Sequence, residues 1–153
     1  MLVNLQSPPL LRIDDIKEVQ PISGWEEFLQ EGEAYLQTAK GAHANGRKAF
    51  TPEIIYNLVA MAIEKFVMAV LMKHGALPYN HTMADLVFAM DDVFPGDISE
   101  IRGELLNLDH YQEICDVDSF NITPPTPDEI PAMLFLAGTL QDLVQLKIAE
   151  VVT

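Results

Sequence analysis

His81 and Asp85 stand four residues apart, the spacing at which two ligands on one helix face can hold a metal ion. Such a site needs two further ligands, and His74 and Asp91 are nearby residues of suitable type. Nothing in the spacing makes them converge. His81 therefore reads as part of a helix-opening pair that bonds backbone groups at the end of the preceding helix, and no metal is expected. Glu64 and Lys65 lie side by side in the most apolar stretch of the chain. Charges in that setting must reach solvent, find a counter-charge, or meet a ligand or partner in a groove. The plainer reading is a narrow polar edge, with Asn57 and Met61 on the stripe of Lys65 and the long side chains carrying their heads outward. Cys115 is the one cysteine, flanked by Glu113, Asp116 and Asp118. Nearby carboxylates disfavour a thiolate, so it reads as an inert, partly buried thiol. No nucleophile elbow, phosphate loop or zinc pattern is present, and no cofactor is expected.

The balance of charge narrows the chemistry further. Nine Lys and Arg face 23 Asp and Glu in 153 residues, a formal net charge of −14. Such a surface repels phosphate backbones and anionic headgroups, so nucleic acid and membranes are disfavoured and a basic or neutral protein partner fits better. From Asp85 to Glu129 there are twelve acidic residues and one basic residue, Arg102. A solvated face and a docking face for a basic partner both accommodate that run. Lys40, Arg47 and Lys48 form a small cationic group in a glycine-containing stretch. A lone cysteine allows no intrachain disulfide, and no basic start precedes an apolar run at the N-terminus. A soluble, cytoplasmic protein is expected.

Helices must position these residues. After an N-terminal arm over residues 1–21, with Ser7-Pro8-Pro9 and Pro21, residues 22–153 read as one domain. The first helix is expected from Ser23, with Glu26 completing a capping box, to about Gly41. The second opens on Thr51-Pro52, with Phe50 stapling onto Ile55, and runs to Lys73 before His74-Gly75 closes it. It is apolar almost all round and so is expected at the centre of the fold. A short third helix spans about Thr82 to Asp92, with Thr82 and Asp85 as its cap. The fourth is expected from Asp97, paired with Glu100, to about Cys115. A Pro-rich acidic connection leads to the fifth, opened by Thr126-Pro127 and extending to Val151. No sustained period-two alternation predicts a strand. The class is all-α, an up-and-down bundle of four to five antiparallel helices. Met61, Met68, Met72, Met83, Met90 and Met133 sit at core-like spacing and read as gap fillers. The apolar excess on the second and fifth helices suggests a homodimer built on helix faces.

The run Ala62-Ile63-Glu64-Lys65-Phe66, continuing through Ala69-Val70-Leu71-Met72-Lys73-His74-Gly75 to Pro78 and His81-Thr82 with Leu86 following, resembles the HEPN family. Those proteins show an Ala-x-Glu-Lys-type helix centre, an aliphatic run, a His-Gly-like end, a proline, and a His-Thr-like pair opening a short helix. The helix carrying Trp25, Tyr35 and Ala39 is similar in character, and Tyr111 falls near where many members carry a late tyrosine. The resemblance spans roughly residues 23 to 115 in detail. It implies a helical bundle, usually dimeric, from a family of ribonucleases in toxin or defence systems, partners of small nucleotidyltransferases, and members that bind without activity. Glu64, Lys65, His74, His81 and Tyr111 are then the binding or interface candidates.

Catalytic HEPN members carry an arginine followed after four to six residues by a histidine, often with a polar residue directly after the arginine. The cation stabilises a phosphate in the transition state and the histidine moves the proton of the 2′-hydroxyl. Here Arg102 and His110 are separated by seven residues and Gly103 stands in the polar position. On a straight helix those eight steps put the two about 12 Å apart along the axis and about 80° apart around it. Glu100, Glu104, Asp109 and Glu113 surround them with the wrong sign of charge for RNA. A non-catalytic, homodimeric module that binds a protein partner or small ligand is expected, with ribonuclease action and an unrelated metal-holding bundle as alternatives.

Overall fold

The computed structural model describes residues 20–112 and 123–150. Residues 1–19 of the expected arm, Cys115 and Val151 lie outside them. Five helices, α1 Trp25–Ala44, α2 Pro52–Lys73, α3 Met83–Val93, α4 Arg102–Asn107 and α5 Ile130–Ala149, make the fold, with no strand among the described residues. Helix α2 is the hub, packing on α1, α5 and α3. Its central place follows from its composition: Val59, Ala62, Phe66, Ala69, Val70 and Leu71 are fully enclosed, and they point in different directions around the helix.

Both ends of α2 are closed as their residues predict. Thr51 accepts the Ile54 N–H at 3.3 Å and Pro52 opens the first turn. At the other end Ala76 N–H reaches Leu71 O and Gly75 N–H reaches Met72 O, with Gly75 at φ +72°, which is a Schellman closure. Two other starts differ from expectation. Ser23 does not cap α1; Gly24 does, at φ +96°, without a side-chain bond, while Ile22 N–H is drawn to Met72 O at the end of α2. Asp97 and Glu100 do not open α4. Residues 97–101 form turns, Ile101 precedes the helix, and a 3₁₀ segment, Leu108–Gln112, follows it. The physical reason is that Ile98 is fully buried and Asp97 is held by Lys147 at 2.7 Å, so both side chains are committed to tertiary contacts.

Direction along the bundle is set by contacts at its two ends. Lys40 lies beside Gly138 and Glu33 accepts from Gln145, so α1 is antiparallel to α5. Lys73 donates to Ile148 O, and Ile55 and Ile130 line one hollow at the other end, so α2 and α5 run in the same sense. The chain returns between them through α4 and the 3₁₀ segment, where Tyr56 donates to Leu108 O at 2.8 Å. Helix α3 runs in the sense of α2: its start lies beside Glu64, and Phe94 at its end packs edge-on against His74 at 4.7 Å. The non-helical stretch 76–82 makes that possible by carrying the chain back along α2 before α3 begins.

Met68, Met72, Met83, Met90 and Met133 are buried as gap fillers, whereas Met61 is 39% exposed. Helix α2 and the span Pro127–Ala149 are long and apolar enough to cross a membrane by composition, and most of the α2 window is buried inside the protein.

Candidate functional site

The start of α3 is held by residues from three places in the chain. Thr82 accepts the Asp85 N–H at 3.1 Å and donates its hydroxyl to the Asp85 carboxylate at 2.7 Å. Asp109, far along the chain, accepts Met83 N–H on one oxygen and Ala84 N–H on the other, each at 3.1 Å. These are orphan donors of a helix's first turn, and a carboxylate there also suits the helix dipole. His81 Nδ1–H donates to Glu64 Oε1 at 2.6 Å, tying the start of α3 to the middle of α2. The backbone-bonding role expected of His81 is thus corrected: the partner is a carboxylate. Asp85 is engaged by Thr82, so the His81–Asp85 spacing reflects a cap. Among the described residues no three His, Cys, Asp or Glu side chains converge as a metal site would require.

Between these elements lies a cavity of about 390 Å³, open to solvent, lined by Tyr56, Asn57, Ala60, Met61, Glu64, His81, Met83 and Asp109. Its lining carries two carboxylates and no Lys or Arg. Asn57, Met61 and Glu64 form one stripe of α2 along its floor. The stripe expected to contain Lys65 therefore belongs to Glu64 instead. Lys65 turns to α1, where it pairs with Glu31 at 2.6 Å and lies 4.4 Å from the centre of the Phe28 ring.

The remaining candidates are placed elsewhere. His74 Nδ1–H donates to Val70 O at 2.9 Å and its ring packs on Phe94, so it closes α2 outside the cavity. Tyr111 stands behind the cavity wall, its ring 5.2 Å from that of Tyr56 and its hydroxyl donated to Glu129. That bond to Glu129, with some burial, pushes the Tyr111 phenol up to about 12. Burial first, then the neighbouring Asp109, pushes Tyr56 up to about 12. The Tyr111 hydroxyl and the Thr126 N–H and hydroxyl hold the Glu129 carboxyl below its usual range.

Arg102 and His110 are not brought together. Arg102 Nε donates to Asp91 Oδ2 at 2.8 Å and its guanidinium lies 5.9 Å from the Phe88 ring centre. His110 is exposed in the 3₁₀ segment, next to Tyr111. The break of α4 at Asn107 removes the straight helix on which their separation was reckoned.

Asp109 as the anchor of α3, and Tyr56 and Met83 as cavity walls, are not legible in the sequence. Asp109 gives no local signal, since the helix is expected to continue past it to about Cys115, and its target lies far away in the chain. Comparison with protein-family models, with curated proteins and with solved structures finds no significant match to this chain.

Proposed function

We propose that this protein is a non-catalytic, HEPN-like helical module that docks a basic segment of a protein partner in the groove between α2 and α3. The observation that carries the reading is the groove lining, where Glu64 and Asp109 face an opening that holds no Lys or Arg. Met61 and Met83 supply apolar walls for the methylene stem of an inserted lysine or arginine. Asn57 offers an amide that can orient a planar guanidinium. Tyr79 is 93% exposed two residues before His81, and Leu77 is exposed beside it, a pairing of aromatic and apolar anchors suited to a protein surface. The formal charge of −14 favours approach of a cationic partner over long range. A small nucleotidyltransferase with a basic face is one partner class the HEPN resemblance suggests.

The ribonuclease alternative has less support, because Arg102 is neutralised by Asp91 and stands apart from His110. It requires RNA cleavage that disappears in both Arg102→Ala and His110→Ala.

The docking reading is tested by titrating ¹⁵N-labelled protein with a blocked hexapeptide of alternating Arg and Gly. Amide shifts confined to Asn57, Glu64, His81 and Met83, weakened at least threefold in Glu64→Gln, are the expected result. Shifts scattered over the acidic surface, with no effect of Glu64→Gln, overturn it.

A further inference from the structure

The span containing α5 is apolar enough to cross a membrane by composition, yet only about a third of its most apolar stretch is buried. Phe135 is 77% exposed and Leu146 64%. With Ala132, Thr139 and Leu143 these residues follow one another at steps of three and four, the spacing of a seam that pairs with another helix. Beside the seam is a hollow of about 400 Å³ where Gly138 presents no side chain; its α5 edge runs from the buried Leu134 and the exposed Phe135 to Asp142. Lys40 of α1 forms its flank, its ammonium 3.8 Å from where a Gly138 Cβ would sit. Neither Lys40 nor Asp142 has an ion partner among the described residues.

We infer that this face of α5 packs against the same face of a second copy, antiparallel, about a two-fold axis passing between Gly138 and Thr139. Phe135 and Asp142, the outermost exposed residues on the α5 side of the hollow, are equidistant in sequence from that point. A two-fold there sets Phe135 of each copy against the Asp142 half of the other's hollow, so one protruding ring and one recess are satisfied twice. The same operation brings Leu146 over Pro131 and Ala132 of the other copy. Asp142 of one copy comes within about one helical turn of Lys40 of the other, so the unpaired cation and anion are complementary across the axis. The surface shares no residue with the α2–α3 groove, and the inference does not rest on the docking proposal. It gives the homodimer expected from apolar excess a definite surface.

Sedimentation equilibrium on the full chain, from about 1 to 300 µM, reads the association directly, since one helix face gives an interface at the small end of specific ones. A monomer–dimer equilibrium is expected, weakened tenfold or more by Phe135→Asp and by Gly138→Leu, which fills the recess. Lys40→Glu should weaken it and Lys40→Glu with Asp142→Lys restore it. Circular dichroism melting of each variant separates loss of association from loss of fold, and the charge swap stays informative if Gly138→Leu is unstable. A monomer at every concentration overturns the inference, whether the face is left bare or covered by residues 1–19. So does a dimer indifferent to both Phe135→Asp and the charge swap, which would place the interface elsewhere.

Discussion

Tyr56, Tyr111 and Glu129 come from α2, the segment after α4 and the lead into α5, and their contacts join those elements at one point. Their ionisation should therefore report on folding from both ends of the pH scale. The two phenols are pushed up to about 12, against an ordinary value of 10.0 in the unfolded chain. Their contribution to stability is complete below about pH 10 and is lost as pH rises toward 12. Glu129 has the opposite sign. Its carboxyl is held below its usual range, so its contribution is complete above the unfolded carboxylate value and lost as pH falls through the lowered one. Absorbance at 295 nm during alkaline titration should show two late phenols in the wild type. In Glu129→Gln one of them, Tyr111, should move down toward 10, because the Glu129 bond is its main cause, while Tyr56 stays late because burial is its main cause. Both phenols remaining near 12 would show that Glu129 does not hold Tyr111. Tyr111 was legible in the sequence as a residue to watch, but its partner was not. Glu129 reads locally as the acid of a helix start, a role it also fills through Thr126, and nothing local tells that a tyrosine arrives from the previous segment.

Helix ends written in local chemistry, Thr51-Pro52, His74-Gly75 and Thr82 with Asp85, are where the sequence and the structure agree, because each cap is decided within about five residues. Asp97 with Glu100 has the same local form and fails, because burial of Ile98 and the pull of Lys147 outweigh a cap worth about 1 kcal/mol. The register of α1 on α2 was illegible for a related reason. It depends on Gly32, an inconspicuous glycine inside a helix, which lets the two helices approach. A Cβ at Gly32 would fall 2.8 Å from two Phe66 ring carbons and 3.2 Å from Ala62 O. Helix propensity alone makes Gly32→Ala favourable by roughly 1 kcal/mol, whereas forcing a methyl into a packed core costs about 1–3 kcal/mol. Phe66 is fully buried and the Ala62 contact is backbone, so neither can yield cheaply. Net destabilisation is expected, seen as a lower midpoint in urea with an unchanged slope. A raised midpoint would mean that α1 slides over α2 and that the close crossing is not a fixed feature of the fold.

At the scale of the whole molecule the formal charge of −14 acts on every equilibrium at once, and salt separates the two surfaces proposed. Docking of a cationic peptide is an attraction between opposite charges and should weaken as salt is added. Pairing of two copies through α5 places fourteen net negative charges opposite fourteen. At about 30 Å in water each pair of charges contributes only roughly 0.1 kcal/mol. Summed over so many pairs, that repulsion exceeds the gain from exposed Lys40–Asp142 contacts, worth about 1 kcal/mol or less each. At about 0.01 M salt the screening length is about 30 Å and the repulsion is felt across the pair; at 0.15 M it is about 8 Å and most is screened. Dimerisation should therefore strengthen with salt over the range in which peptide binding weakens. Sedimentation and peptide titration at those two ionic strengths give the two slopes. A dimer that dissociates on adding salt would mean that ionic contacts hold it together, and the apolar seam around Phe135 would then not be the interface.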